Sequence, residues 1–438
     1  MKASLITLGC NKNEIDSEMI ISYISKRGFE VTDDLFSANL IIINTCGFIN
    51  SAKEEAINTI LDTIDYKYNG KCEHIFVVGC LAKRYKEEIY NEIPEVDLVI
   101  GVDEYSNFDT IFSNYFKLKN SKYYLNFHDR EVSSIFPMAY LRISDGCNNR
   151  CHYCAIPLIR GNLKSRKIED IVSEANQLVS KGIRELCIIS QDTTSYGLDI
   201  YGECKLKELI REISKIEDLK WIRVLYMYPG KIDDDLLQEF EENNKLCRYF
   251  DIPVQHISDK MLKLMNRHTT KQEIYDVVNK IKNKMPDAII RTTVMCGYQQ
   301  ESEEDFEELK QGLIDLEFDR LGAFTFSKEE DTVANDITGD ILDDIKEKRY
   351  NEIMELQQSI ITKKMKKLIG KEYEVIVEDV TEDNKYFVCR SYMDAPDVDP
   401  RIYLELEKNI DKVVVGEYYN VILKEINGYD YIAELKEE

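Results

Sequence analysis

The 438-residue chain sets 57 Lys and Arg against 81 Asp and Glu, a formal net charge of −24. That balance excludes a generic polyanion binder, because attraction to phosphate or to an anionic membrane needs a cationic surface, and it suits a basic partner. A hydrophobic share of 44% with 19 Gly and 8 Pro excludes collagenous and mainly disordered classes, and the length predicts about two to four domains.

No apolar run reaches the ~18 residues of a membrane span, and the apolar part of residues 1–10 is too short for a signal peptide. The expectation is a cytoplasmic protein without membrane association. Thiols stay reduced there, so clusters among the twelve cysteines read as metal-binding or catalytic rather than as a disulfide frame.

In chain order, the apolar runs at 3–8, 40–44, 75–78 and 97–100 read as buried parallel strands, with helical periodicity between them, as at 51–66. They predict a small doubly wound α/β domain over residues 1–117. Residues 118–135 lack a strong period and read as a connection. Candidate strands recur at 139–144, 185–190, 221–227, 249–254, 288–295 and 320–326, separated by helical stretches such as 168–180. These six β/α units, within 136–340, predict a full or partial parallel (β/α) barrel with its reactive groups on loops at the C-terminal strand ends. A charged helical spacer follows over 341–369 and stops at Gly370. Residues 370–438 alternate Val, Ile and Tyr with charge in short pieces, which predicts a small antiparallel β-barrel.

The sharpest local signal is Cys147-Asn148-Asn149-Arg150-Cys151-His152-Tyr153-Cys154, a C-x3-C-x2-C spacing just beyond the first barrel strand. With Cys at 12 of 438 positions, chance would produce roughly 0.009 such patterns per chain. Three thiolates on one loop can hold a 4Fe-4S cube and leave one iron open, as a catalytic site requires. A zinc knuckle is the structural alternative, but the second pair of Cys or His at zinc spacing is missing, since His152 lies inside the loop. Cys10, Cys46 and Cys80 each follow one of the first three predicted strands, where loops at the carboxyl edge of a doubly wound sheet converge. On the residues alone they are either ligands or buried apolar thiols. Cys72, Cys187, Cys204, Cys247, Cys296 and Cys389 show no mutual spacing and read as ordinary thiols.

The loop matches the signature of radical S-adenosylmethionine enzymes, with the aromatic Tyr153 before its last Cys. The resemblance extends from end to end. Leu8-Gly9-Cys10-Asn11-Lys12-Asn13-Glu14, Asn44-Thr45-Cys46-Gly47-Phe48-Ile49 and Val78-Gly79-Cys80-Leu81 resemble the methylthiotransferase family. Ser190-Gln191-Asp192-Thr193-Thr194, Tyr226-Met227-Tyr228-Pro229, Asp251-Ile252-Pro253-Val254-Gln255-His256 and Arg390-Ser391-Tyr392-Met393-Asp394-Ala395-Pro396 resemble its branch that modifies an aspartate of a small-subunit ribosomal protein, more than the branch that modifies tRNA adenosine.

The resemblance implies two 4Fe-4S clusters, one on Cys147, Cys151 and Cys154 and one on Cys10, Cys46 and Cys80, with S-adenosylmethionine at the open iron of the first. It implies a deoxyadenosyl radical that takes hydrogen from the aspartate β-carbon, sulfur delivered from the second cluster, and an external electron donor. It also makes the terminal barrel a TRAM domain. Tyr153, Ser190, Gln191, Arg223, Gln255 and Gly297 are the candidate cofactor contacts. Arg223 has a core carboxylate as its alternative partner, and His256 reads more readily as structural. Asn11 replaces the family's usual Pro, Gln299-Gln300 its Pro-Gly pair, and the stretch 327–332 lacks its Gly. Residues 370–438 hold eight Lys or Arg and eighteen Asp or Glu, so this barrel favours a basic ribosomal protein over RNA as its primary partner. A tRNA-adenosine methylthiotransferase and a non-catalytic iron–sulfur scaffold are the competing classes.

Overall fold

The computed structural model describes residues 1–436; Glu437 and Glu438, the end of the expected terminal barrel, lie outside the described residues. Two compact units emerge, and neither is one stretch of chain. The first gathers Met1–Ser133, Ser144–Lys164 and Ser327–Asp336; the second gathers Ser134–Ile143, Ser165–Phe326 and the chain from Ile337 onward. This differs from the consecutive domains expected at 1–117 and 136–340. Long-range pairing of charged side chains, described below, draws the cysteine loop and the stretch after the last central strand into the first unit.

The first unit is built on β1 (Lys2–Thr7), α1 (Asn11–Lys26), β2 (Glu30–Val31), β3 (Leu40–Thr45), α2 (Asn50–Asn69), β4 (His74–Gly79), α3 (Cys80–Arg84) and β5 (Leu98–Gly101). The strands form one parallel sheet in the order β2-β1-β3-β4-β5. Successive side chains of a strand point to opposite faces. Ala3, Leu40, Ile42, Phe76, Val78 and Ile100 therefore pack against Ile20, Tyr23 and Ile24 of α1 together with Phe108 and Phe112. Ile41, Ile43, Ile75, Val77 and Val99 face Ala56 and Ile60 of α2 and Leu81 of α3. Both faces are covered, which is why the strands read as continuous apolar runs. The two-residue β2 carries no such signal.

The expected connection at 118–135 is not loose over its last part. Arg130 and Glu18, each with a side chain 1% exposed, form an ion pair. Glu18 also accepts hydrogen bonds from the Ser133 backbone N–H at 2.6 Å and its hydroxyl at 3.1 Å.

In the second unit, Met138–Arg142, Glu185–Ile189 and Trp221–Val224 form one parallel sheet, and Tyr249–Asp251, Ile289–Cys296 and Arg320–Thr325 another. A hydrogen bond from Met227 N to Asp251 O at 2.8 Å links the two halves, so the six strands make a partial barrel. The helical spacer spans Asp343–Lys366. Gly370, at φ +82°, turns the chain into a closed five-stranded barrel. One closing pair, Ile402–Glu405 with Asp430–Leu435, runs parallel, a local departure from the all-antiparallel expectation.

Candidate functional site

Parallel register sets three cysteines level in the first unit. Thr7 faces Asn44, Asn44 faces Val78 and Thr45 faces Gly79, so β1, β3 and β4 end along one edge. Cys10 stands at the start of α1, Cys46 directly follows β3, and Cys80 opens α3. Because β2 intervenes, they follow the first, third and fourth strands rather than the first three, and these are neighbours in the sheet.

Glycine lets the three turns close. A Cβ on Gly9 would stand 2.7 Å from Cys46 Cβ, one on Gly47 2.9 Å from the Leu81 backbone, and one on Gly79 2.4 Å from Asn44 Oδ1. Asn13 then ties the turns together. Its Nδ2 donates to Leu8 O at 2.9 Å and to Thr45 O at 3.1 Å, and Cys80 Sγ lies 3.6 Å from its Oδ1. Asn44 supports Asn13 in turn, donating to its carbonyl at 2.8 Å. Burial pushes the Cys46 thiol up, with Cys10 adding to the effect. Cys80 is pushed up to about 12, first by burial and then by Cys10, Cys46 and Asp16, with the Arg160 guanidinium opposing. Cys46 and Cys80, whose ionisation burial and neighbouring sulfur penalise, form with Cys10 a donor set that a bound cation stabilises.

The C-x3-C-x2-C loop belongs to the same unit. Its three cysteines and Tyr153 are half-buried. Gly146, at φ +71°, brings the backbone against Asn162, whose oxygen a Cβ would meet at 2.2 Å. Cys147 N donates to Gly161 O at 3.2 Å, Cys154 N to Cys151 O at 3.1 Å, and Leu163 N to Asn148 Oδ1 at 3.1 Å.

One guanidinium spans the two cysteine sets. Arg160 donates from Nη1 to Asp145 Oδ2 at 3.0 Å, and from Nη2 to Asp16 Oδ2 at 2.8 Å, to Asn13 Oδ1 at 2.9 Å and toward Cys80 Sγ at 3.6 Å. The segment Ser327–Asp336 meets the Cys147–Cys154 loop directly and the turn after Cys46 through Arg84. Ala334 N donates to His152 O at 3.0 Å. Arg84 reaches the Gly47 carbonyl beside Cys46 at 3.0 Å and pairs with Glu329, which Lys53 also contacts at 2.9 Å. Among the described residues no three His, Cys, Asp or Glu side chains close to the spacing of a single metal ion. Each set offers three sulfur donors, the soft chemistry that suits an iron–sulfur cluster.

The remaining candidates lie in the second unit. Ser190 is buried and accepts from Asp192 N at 3.0 Å; Gln191 is half-buried. Gln255 takes φ +70°, unusual for a residue with a Cβ, while its backbone pairs with Thr293 and Met295 at 2.8 Å each. Gly297, at φ +73°, donates to Glu301 Oε2 at 2.8 Å, and a Cβ there would meet Lys346 Cγ at 2.3 Å. Its glycine is thus explained by packing. Arg223 is corrected: it is fully buried, its Nε donates to Glu185 at 2.9 Å and its Nη1 to Tyr392 O at 2.8 Å. The core carboxylate took it. His256 is structural, with Nδ1 accepting from Ser258 N at 3.0 Å and Nε2 facing Glu301 at 3.1 Å.

Comparison with known proteins places this geometry. The family model for uncharacterized protein family UPF0004 matches residues 2–101, that for the radical SAM superfamily residues 141–312, and that for the TRAM domain residues 369–435. The ribosomal protein uS12 methylthiotransferase RimO of Acetivibrio thermocellus is 45% identical, covering 100% of this chain and 99% of that protein. The protein of the same name from Clostridioides difficile is 42% identical over 99% of each. Among solved structures, the radical S-adenosylmethionine methyltransferase TsrM from Kitasatospora setae, with cobalamin and a [4Fe-4S] cluster bound, superposes with a TM-score of 0.56 at 14% identity over 74% of this chain and 75% of that one. The cobalamin-dependent radical enzyme OxsB gives 0.53 at 14% identity over 83% and 56%, and both likenesses speak to the fold alone. Relatives this similar over the full length settle the assignment: the chain belongs to the ribosomal protein uS12 methylthiotransferase (RimO) family of radical S-adenosylmethionine enzymes.

Proposed function

We propose that this enzyme adds a methylthio group to the β-carbon of an aspartate in ribosomal protein uS12. The observation that carries the reading is the end-to-end similarity to RimO proteins combined with two all-cysteine donor sets in one compact unit. Cys147, Cys151 and Cys154 would hold one 4Fe-4S cluster, whose chemistry with S-adenosylmethionine would supply the radical. Cys10, Cys46 and Cys80 hold a second, the carrier of the sulfur to be transferred. When bound, the cofactors supply an electron-driven cleavage whose radical product takes hydrogen from an unactivated carbon, a step for which the chain's acids and bases have no purchase.

The chain's own part is to bind, orient and exclude water. Gly9, Gly47 and Gly79 let three turns approach closely, and Asn13 fixes them to one another. Tyr153 offers a ring for the adenine, and Ser190, Gln191, Gln255 and Gly297 supply polar or backbone contacts to the cofactor at strand ends. An external donor provides the electron. The acidic terminal barrel favours a basic ribosomal protein over RNA as its partner, and the proposed compartment is the cytoplasm; no helix among the described residues is long and apolar enough to cross a membrane.

Parallel anaerobic incubations with reductant, S-adenosylmethionine and either uS12 or an anticodon stem-loop RNA test the proposal by mass spectrometry. Gain of one methylthio mass on the uS12 aspartate is expected. Gain on the RNA alone overturns the substrate, and no deoxyadenosine in either reaction overturns the enzyme reading.

A further inference from the structure

We infer that Arg160 is a positioning residue that joins the two cysteine sets and tunes, through Cys80, whatever the auxiliary set binds. The inference rests on the proposed role of Cys10, Cys46 and Cys80 as ligands of a second cluster.

Arg160 lies six residues beyond the last cysteine of the radical loop, yet three of its four named partners belong to the N-terminal sheet domain. Its side chain is 3% exposed and its charge is met by Asp16, 1% exposed, and Asp145, 34% exposed. Asp145 stands two residues before Cys147, so the same planar group that reaches Cys80 also fixes the root of the other loop. Behind it Cys80, Ala155 and Ile159 form a small apolar cluster with Val102, which holds the short helix carrying Arg160 against α3. A planar fork with fixed donor directions can serve all these acceptors at once, whereas an ammonium cannot.

A cation 3.6 Å from a ligating sulfur stabilises the more negative oxidation state of the bound group, because the interaction is only weakly screened at a buried site. Removing the charge makes reduction harder. Asp145 takes the far Nη1, while Asp16 shares Nη2 with Cys80; both partly balance the guanidinium, and their role in this scheme is to aim it.

The test uses full-length protein in which Cys147, Cys151 and Cys154 are all replaced by Ala, so that one cluster remains. Iron and sulfide are counted, and the midpoint potential is followed by electron paramagnetic resonance. Arg160→Gln should shift the potential to a more negative value at equal iron content, and Arg160→Lys should shift it less. Arg160→Gln with iron bound and an unshifted potential overturns this inference alone. Where Arg160→Gln binds no iron, Asp16→Asn decides, since it keeps the cation and releases its anchor: a potential shifted to a more negative value supports the inference, because loss of the Asp16 charge alone would raise it, and an unchanged or raised potential overturns it. A parent protein without iron overturns both this inference and the second cluster on which it rests.

Discussion

Glu185 and Arg390 meet in a bidentate pair with neither side chain exposed: Nη1 donates to Oε1 at 3.1 Å and Nη2 to Oε2 at 2.5 Å. Glu185 opens the second central strand, and Arg390 lies in the second strand of the terminal barrel. Arg223 shares Glu185, and Glu378 accepts from Arg390 Nε at 2.9 Å, so the barrel is locked to the central strands by buried charge. Arg390→Ala should cost about 3–5 kcal/mol, since it removes the cation that two buried carboxylates share and leaves Glu185 with Arg223 alone and Glu378 with Arg401 alone. Chemical denaturation followed by hydrogen exchange checks it, with early loss of protection in the terminal barrel as the expected signature.

The same pair makes a pH prediction. Burial alone would raise the Glu185 carboxyl, but the guanidiniums of Arg390 and Arg223 outweigh it and hold the group down at about 2. A carboxyl lowered on folding contributes stability that is complete above its unfolded value of about 4.3 and is lost as pH falls toward 2. Glu185→Gln should therefore be less stable than the parent at pH 7, and the gap should close between about pH 4.3 and 2. A gap that is constant with pH contradicts the assignment. Denaturation midpoints at three pH values measure it.

Gly79 and Gly28 separate crowding from backbone strain. Both have positive φ, +103° and +88°, yet a Cβ on Gly79 would meet the Thr45 carbonyl at 2.6 Å while one on Gly28 meets nothing within 4 Å. Gly28→Ala should cost about 1 kcal/mol from strain alone. Gly79→Ala should cost clearly more and lower the iron bound per chain, because the turn before Cys80 must shift. Thermal melting with iron analysis compares the two.

Part of the terminal barrel's acidity is internal. Glu378, Asp394 and Asp399 are buried against Arg390, Arg401, Arg320 and Arg291. Acids such as Glu407, Asp411 and Glu425 are exposed and free to face a basic partner. Charge reversal of these three to Lys should raise KM for uS12 without lowering kcat, and the wild-type KM should rise with ionic strength over the range where the Debye length falls below about 10 Å. Steady-state kinetics in a salt series tests both.

The parallel sheet, the terminal barrel and the placement of Cys46 and Cys80 directly after strands were legible because their signals are local: apolar runs buried on both faces and short alternating pieces. What lay outside the reading is long-range pairing of polar groups. Asn13, Asp16, Ser17 and Glu18 look like a solvated helix face, but they are buried because their partners, Asn44, Arg160 and Arg130, arrive from elsewhere in the chain. Arg223 pointed both to a cofactor and to a carboxylate, and only the arrival of Tyr392 and Glu185 decided it. The segment Ser327–Asp336 drew notice for a missing Gly, while its contacts with the Gly47 and His152 neighbourhoods carried no sequence pattern. The short β2 fell below any periodicity.

Separate roles for the two cysteine sets are the core of the account, and deoxyadenosine release measured beside methylthiolation of uS12 tests them most directly. Cys46→Ala should still release deoxyadenosine while transferring no sulfur, and Cys147→Ala should do neither. Equal loss of deoxyadenosine release in both variants, each folded by circular dichroism, would contradict it.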